Sequence, residues 1–192
     1  MPHARLLRFL AEPARRFGGD DGGVSAVEFA LLLPVMLTLY LGGVEVTQAV
    51  SIDRKVTLVS HTVADLVAQA TTVSTTDLTN ILSAATAVLA PYSSANLKVT
   101  VSSVVVDKSK KATIDWSSTQ GGTARTKGTD VSSLIPSALL APCATATTAC
   151  TLIWGEAAYS YKPTIGYVIT GTLPLSDQIF MKPRMTNQVT KS

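Results

Sequence analysis

The sequence predicts an α+β fold. A long N-terminal helix, with a transmembrane half and an amphipathic half, packs on a small domain with one or two further helices and an antiparallel sheet of about four strands. Three observations carry this. Val24–Val44 is a 21-residue apolar run, and a bilayer core needs about 20 such residues in a helix. From Ala49 the apolar positions recur in steps of three and four, the spacing of one helix face. Beyond residue 96 the chain changes to short Val- and Thr-rich runs separated by turn residues, as antiparallel strands do. The expected division is a leader at 1–23, a transmembrane and projecting helix at 24–70, and an extracytoplasmic α+β domain at 71–192.

Composition narrows the function. Of 192 residues, 46% are hydrophobic and 15% charged, where a typical soluble domain carries about 25% charge. The net charge of +3 comes without any Lys/Arg block, so nucleic acid is not an expected partner. The two cysteines, Cys143 and Cys150, are spaced C-x6-C, which fits no common zinc pattern, and the only histidines are His3 and His61. In an oxidising compartment the pair closes one small disulfide loop; otherwise they are two free thiols.

The leader carries Arg5, Arg8, Arg15 and Arg16 against Glu12, Asp20 and Asp21. Leu6, Leu7, Phe9 and Leu10 make either a short amphipathic turn or part of a disordered tail. In Val24–Val44 the only charge is Glu28, and no polar face interrupts the run. Arginines precede it, while Arg54 and Lys55 beyond it are offset by Glu45 and Asp53, which places the N-terminus inside. Pro34 and Gly42-Gly43 are its weak points. The amphipathic half has an apolar stripe of Ala49, Ile52, Val56, Val59, Val63, Leu66 and Ala70, opposite Asp53, Arg54, Ser60 and Asp65. Thr76 caps a second helix over 77–90, ending before Pro91. "NLKVTVSSVVVD" and "ATIDWSST" form a hairpin turned by "KSKK". A polar loop follows over 120–130, then one short helix in "VSSLIPSALL" and a small-residue loop in "CATATTAC". "TLIWGEAAYSYKP" is a strand, and a last strand lies near Gln178 to Lys182. Trp116 and Trp154 read as core or sheet-face aromatics, and His61 as a solvated or capping residue.

No catalytic constellation and no nucleotide-binding glycine motif is present, so an enzyme is not expected and no cofactor is implied. Asp115-Trp116-Ser117-Ser118-Thr119 mimics a D-x-S-x-S/T metal loop but falls in an expected strand. Arg15-Arg16 is followed by "GGDDGG" rather than an apolar region, unlike a twin-arginine signal, and cleavage after Gly43 would put Leu41 at the −3 position.

Glu28 is the residue that asks for a reason. A charge inside a bilayer costs about 2.5–3.5 kcal/mol on insertion scales and usually has a partner. Cleavage between Gly23 and Val24 would create an α-amino group at Val24, with Glu28 as the fifth residue counted from it. A short basic leader, Gly23, the fifth-position Glu28 and an unbroken apolar helix are the prepilin arrangement. "GVSAVEFALLLPVMLTLYLGGVE" resembles the TadE-like family of the tight-adherence (Tad, Flp-type) pilus, and "YSYKPTIG" through "IFMKPRM" is similar to that family's C-terminal strands. The resemblance implies a minor pilin or pseudopilin of the bacterial inner membrane, with Gly23 and Val24 as the processing site and Glu28 as an assembly contact. Its partners would be a prepilin peptidase, other pilins and pseudopilins, the inner-membrane assembly platform and membrane lipid. The N-terminus would be cytoplasmic and the C-terminal domain periplasmic or in the pilus. Val24 stands where pilins usually carry Phe. The competing class is an uncleaved, membrane-anchored extracytoplasmic binding module.

Overall fold

A computed structural model describes residues 21–148, 150–163 and 165–192, so the leader before Asp21, with its arginines and its Leu/Phe cluster, lies outside the described residues. Helix α1 (Asp21–Ala68) runs without interruption for 48 residues, about 70 Å at 1.5 Å per residue. It continues through Pro34, and it stops at Ala68, short of the expected Ala70. Two threonines in and just beyond its apolar half bond back to the helix backbone. Thr38 Oγ1 donates to the Pro34 carbonyl at 2.8 Å, and Thr47 Oγ1 to that of Gly43 at 2.7 Å.

The remainder of the chain builds the head. Strands β1 (Thr72–Val73) and β6 (Thr190–Lys191) form a short parallel pair. Helix α2 (Thr75–Ala87) packs beside α1. Strands β2 (Leu97–Val106), β3 (Ala112–Gln120), β4 (Cys150–Tyr161) and β5 (Leu173–Met181) make one antiparallel sheet in the order β3-β2-β4-β5. The β3–β4 connection crosses the outer face as a 3-10 turn (Ser132–Leu134), a four-residue helix α3 (Ser137–Leu140) and a second 3-10 turn (Ala141–Thr145).

Two apolar layers hold the sheet. On the inner face Val99, Val101, Ile153 and Ala157 meet Val56, Val59, Val63 and Val67 of α1 and Leu78 and Leu82 of α2. On the outer face Val104, Ile114, Leu152 and Trp154 lie under Val131, Ile135, Leu140 and Cys143. A β-bulge between Ser103 and Val104 shifts the register there, so that Trp116 joins the inner layer while Ile114 joins the outer. Both tryptophans are therefore core residues. Each fully buried Val or Leu side chain is worth about 1.5–3 kcal/mol.

The expected stripe holds from Ala49 to Val63 and then turns. Leu66 is exposed, and Val67 is buried in its place. A 3.6-residue helix drifts by about 20° per heptad against a 3.5-residue repeat, so after two heptads the inward position moves on by one residue. Ser60, expected on the wet face, is fully buried against the sheet and donates to Asp177 Oδ2 at 2.5 Å. That close approach depends on Gly155. A Cβ there would stand 2.6 Å from the Ser60 carbonyl oxygen and 2.8 Å from Ala64 Cβ.

Other boundaries differ for local reasons. The cap of α2 is Ser74, not Thr76. Its hydroxyl accepts from Asp77 N at 3.1 Å and Asp77 Oδ2 accepts from Ser74 N at 2.9 Å, a reciprocal box that needs an acid three residues on. Lys55 Nζ closes the other end, donating to the carbonyls of Val88 and Ala90 at 3.0 and 2.6 Å. The single helix expected over 131–140 is broken by Pro136, which holds Ile135 extended, and 3-10 structure runs on into the expected small-residue loop as far as Thr145. Strand β5 starts at Leu173 rather than near Gln178. Pro174 is accommodated because β5 is an edge strand, with an N–H side that needs no partner.

Gly155→Ala forces backbone to move rather than a flexible side chain. We expect it to lower the unfolding free energy of the full chain in detergent by about 1–3 kcal/mol, read from the denaturant midpoint. An unchanged midpoint would show that α1 does not lie on the sheet this closely.

Candidate functional site

The features that point to function sit on α1, at its N-terminal end and where it enters the head. From Gly23 to Tyr40 every residue is exposed, including Phe29, Leu31, Leu32, Val35, Met36, Leu39 and Tyr40. No part of the head covers this segment. It is a bare apolar rod, and Val24–Val44 would span about 32 Å at 1.5 Å per residue, against a bilayer hydrocarbon core of about 30 Å. A soluble core helix of that composition would be buried.

Near the tip lie the residues singled out in sequence. The Gly23–Val24 bond is within the helix, and a Cβ added at Gly23 would meet nothing within 4 Å. Val24 and Glu28 are both exposed. Four residues apart, they lie one turn above the other on the same helix face. Among the described residues no cation stands within ion-pair distance of Glu28.

At the other end of the rod the environment reverses within one turn. Glu45, read from sequence as one more offsetting surface charge, is fully buried. Its carboxylate accepts three backbone N–H bonds from the β4–β5 loop: Tyr167 at 2.7 Å, Val168 at 3.0 Å and Ile169 at 2.8 Å. These donors, Ile169 foremost and Tyr167 next, hold the carboxyl below its usual pKa against the opposing effect of burial. One turn on, Tyr161 Oη donates to Gln48 Oε1 at 3.2 Å. Nothing in the sequence flags this arrangement, because the partners of Glu45 lie 122 to 124 residues away and are backbone groups.

The top of α1 is clamped by the chain's C-terminal segment. Arg184 N donates to the free Ala68 carbonyl at 2.8 Å, and its guanidinium lies 2.5 Å from Asp65 Oδ1. The Pro-Arg at 183–184 thus closes the helix C-terminus. On the outer face Arg125 stacks 4.0 Å above the Trp154 ring and forks onto both Glu156 oxygens, while Trp154 stacks on Phe180 with centroids 5.2 Å apart.

Cys143 and Cys150 form a disulfide, with Cα atoms 5.4 Å apart. The residues of the metal-loop mimic are spent inside the sheet. Asp115 accepts from Lys127 and Gln188, Ser117 accepts from Ser102, and Thr119 bonds Thr100 and the Val99 carbonyl. Among the described residues no cluster of three His, Cys, Asp or Glu could hold a metal.

Among known families, the model described as "TadE-like protein" matches residues 23–65, which begins at the glycine before Val24 and covers nearly all of α1. The match suggests a protein associated with the Tad pilus, a structural rather than enzymatic family, and it leaves the head to be read from its own structure. No curated protein and no solved structure matches the chain.

Because the pKa of Glu45 is lowered on folding, its contribution to stability is present above its unfolded value of about 4.5 and is lost as pH falls below that, through the folded value. Hydrogen exchange in detergent should therefore show protected amides at Tyr167, Val168 and Ile169 at neutral pH. Glu45→Ala should remove that protection at every pH, while protection in the parent should fade only below about pH 4.5. Equal protection in parent and variant would mean that Glu45 does not hold the loop.

Proposed function

We propose that this chain is a minor pilin or pseudopilin of a bacterial Tad-type pilus. In this account a prepilin peptidase cuts between Gly23 and Val24. Val24–Val44 then holds the subunit in the inner membrane as a single pass, with the N-terminus cytoplasmic and residues 71–192 periplasmic. From there the subunit enters or primes the pilus, through the assembly platform and the other pilins and pseudopilins, and so serves surface adhesion. One observation carries this: a bare apolar rod, charged only at Glu28, runs unbroken into the helical half that anchors the head.

The physical argument follows from solvent. In lipid the Glu28 carboxylate is expensive unless neutralised. The α-amine released at Val24 lies on the same helix face, and in a fibre a neighbour's amine can reach it as apolar rods pack. A pair made only between correctly staggered subunits sets register, the best-attested use of a buried ion pair. The Cys143–Cys150 disulfide supports export of the head, since disulfides persist in oxidising compartments. A head of about 120 residues on each rod suits a sparse position in the fibre better than a dense one.

The N-terminus of the mature protein tests processing. Its mass, taken from native membranes, should correspond to a chain starting at Val24, and Gly23→Arg should accumulate the full-length precursor. A native N-terminus at Met1 would leave the uncleaved anchored binding module, and one after Gly43 would detach the head from the membrane altogether.

Glu28 tests assembly. Glu28→Ala removes a costly charge from the lipid-facing helix, so insertion and cleavage should persist. Pilus yield and crosslinking to neighbouring subunits should fall about tenfold or more, the factor that a loss of ~1.4 kcal/mol gives. Glu28→Gln should be nearly as poor, since it keeps shape and loses charge. Normal piliation with Glu28→Ala at equal expression would return the carboxylate to the role of a helix N-terminal acid facing the dipole.

A further inference from the structure

The β4–β5 loop that Glu45 holds has a second face. Among the described residues beyond residue 70, the exposed large hydrophobics are Leu134, Ile165, Tyr167, Val168 and Met185, so three of the five fall within one four-residue stretch. They are not loosely placed. The backbone of Tyr167, Val168 and Ile169 is tied to the Glu45 carboxylate, and Ile169 packs against the inner core. With the backbone fixed and Ile169 turned inward, Ile165 and Tyr167 are held outward, and Val168 lies half-exposed against α1 at Gly42.

Their height along α1 is fixed as well. Val168 Cγ2 stands 3.0 Å from where a Cβ at Gly42 would be, and Glu45 lies one residue past the apolar run. The loop is therefore level with the last turn of Val24–Val44, where a helix of that length leaves the hydrocarbon. Tyr40, 70% exposed, lies about half a turn below Gly42 on the helix itself. Lys162, exposed, stands at the loop's base, and Thr170 to Thr172 follow it, also exposed. Aliphatic tips with a tyrosine, backed by a cation and hydroxyls, match the acyl–headgroup boundary, where amphipathic rings are enriched.

We infer that the loop over 165–168 is a second membrane contact, with Ile165 and Tyr167 inserted into the outer-leaflet interface and Val168 filling the gap between them and α1 at Gly42. Two points then hold the head, the helix and the loop, and together they set its height and tilt on the bilayer. A helix alone leaves the head free to lean. The inference rests on the transmembrane reading of α1, and lifting a subunit into a fibre would first have to withdraw this loop.

The test places a fluorophore at each contact. Full-length chain carrying Tyr167→Trp or Leu37→Trp is reconstituted in vesicles of mixed zwitterionic and anionic phospholipid with brominated acyl chains. Emission of the parent, from the buried Trp116 and Trp154, is subtracted. Tyr167 is exposed, so the larger indole fits without repacking. The added emission of Tyr167→Trp should fall by roughly half with bromine near the glycerol end of the chains and by less with deep bromine, as expected for a ring ~5–10 Å into the boundary. The added emission of Leu37→Trp should respond chiefly to deep bromine. Quenching of the Leu37→Trp chain without quenching of the Tyr167→Trp chain overturns the loop contact and leaves the transmembrane reading standing. Quenching of neither overturns both. Blue-shifted, unquenched emission from the Tyr167→Trp chain that depends on protein density would show a second copy covering the loop, and also overturns the lipid contact.

Discussion

One helix carries two different surfaces, and Glu45 marks where it changes from one to the other. Below it α1 shows apolar side chains on every side; above it the helix is amphipathic and packed. A carboxylate can be buried at that border only because three backbone N–H groups converge on it. Those same bonds fold the β4–β5 loop back onto the helix. The loop in turn sets where β5 begins, and β5 carries Asp177, which receives Ser60, and Ile179, paired in register with Gly155. The docking of the sheet on α1 thus starts at Glu45 and is completed about four turns further up, where Gly155 lets the helix backbone approach the sheet at Ser60.

Much of the fold was legible because its signals are local. The three-four spacing over Ala49–Val63, the β2–β3 hairpin with its Asp107 turn, and the strand around Trp154 are all set by neighbours in sequence. What was not legible depends on distant partners or on helix geometry. Leu66 continues the heptad, yet the true pitch brings Val67 inward. Ser60 looks like a wet-face residue until Asp177, 117 residues away, is placed opposite it. Ser74 rather than Thr76 caps α2 because the cap is chosen by the acid three residues on, and Asp77 serves only Ser74. Strand β5 reaches back past Pro174 to Leu173, and only the sheet order reveals the edge position that tolerates a proline there.

The candidate site divides the same way. The proposed roles of Gly23, Val24 and Glu28 rest on spacing along one helix, which a sequence displays in full. The β4–β5 loop was read only as chain leading to a strand. Its apolar residues are few and flanked by Gly166, Thr170 and Gly171, which fits a solvated turn as well as a membrane contact. What separates the two is position: level with Gly42 and pinned by Glu45, the loop stands at the border that the apolar run defines.

Two carboxylates on α1, 17 residues apart, therefore carry opposite meanings. Glu45 has all its partners within the chain. It is buried, its pKa is lowered by backbone donors, and nothing outside is needed to explain it. Glu28 is exposed on an apolar rod, and among the described residues no cation reaches it. A helix meant only to anchor would place a Leu there at no cost. Retaining a charge that is unfavourable in lipid makes physical sense where a partner arrives later, either as the amine that cleavage would expose at Val24 or as that of a neighbouring subunit. The chain satisfies one acid by folding, and in the proposed function the other awaits processing and assembly.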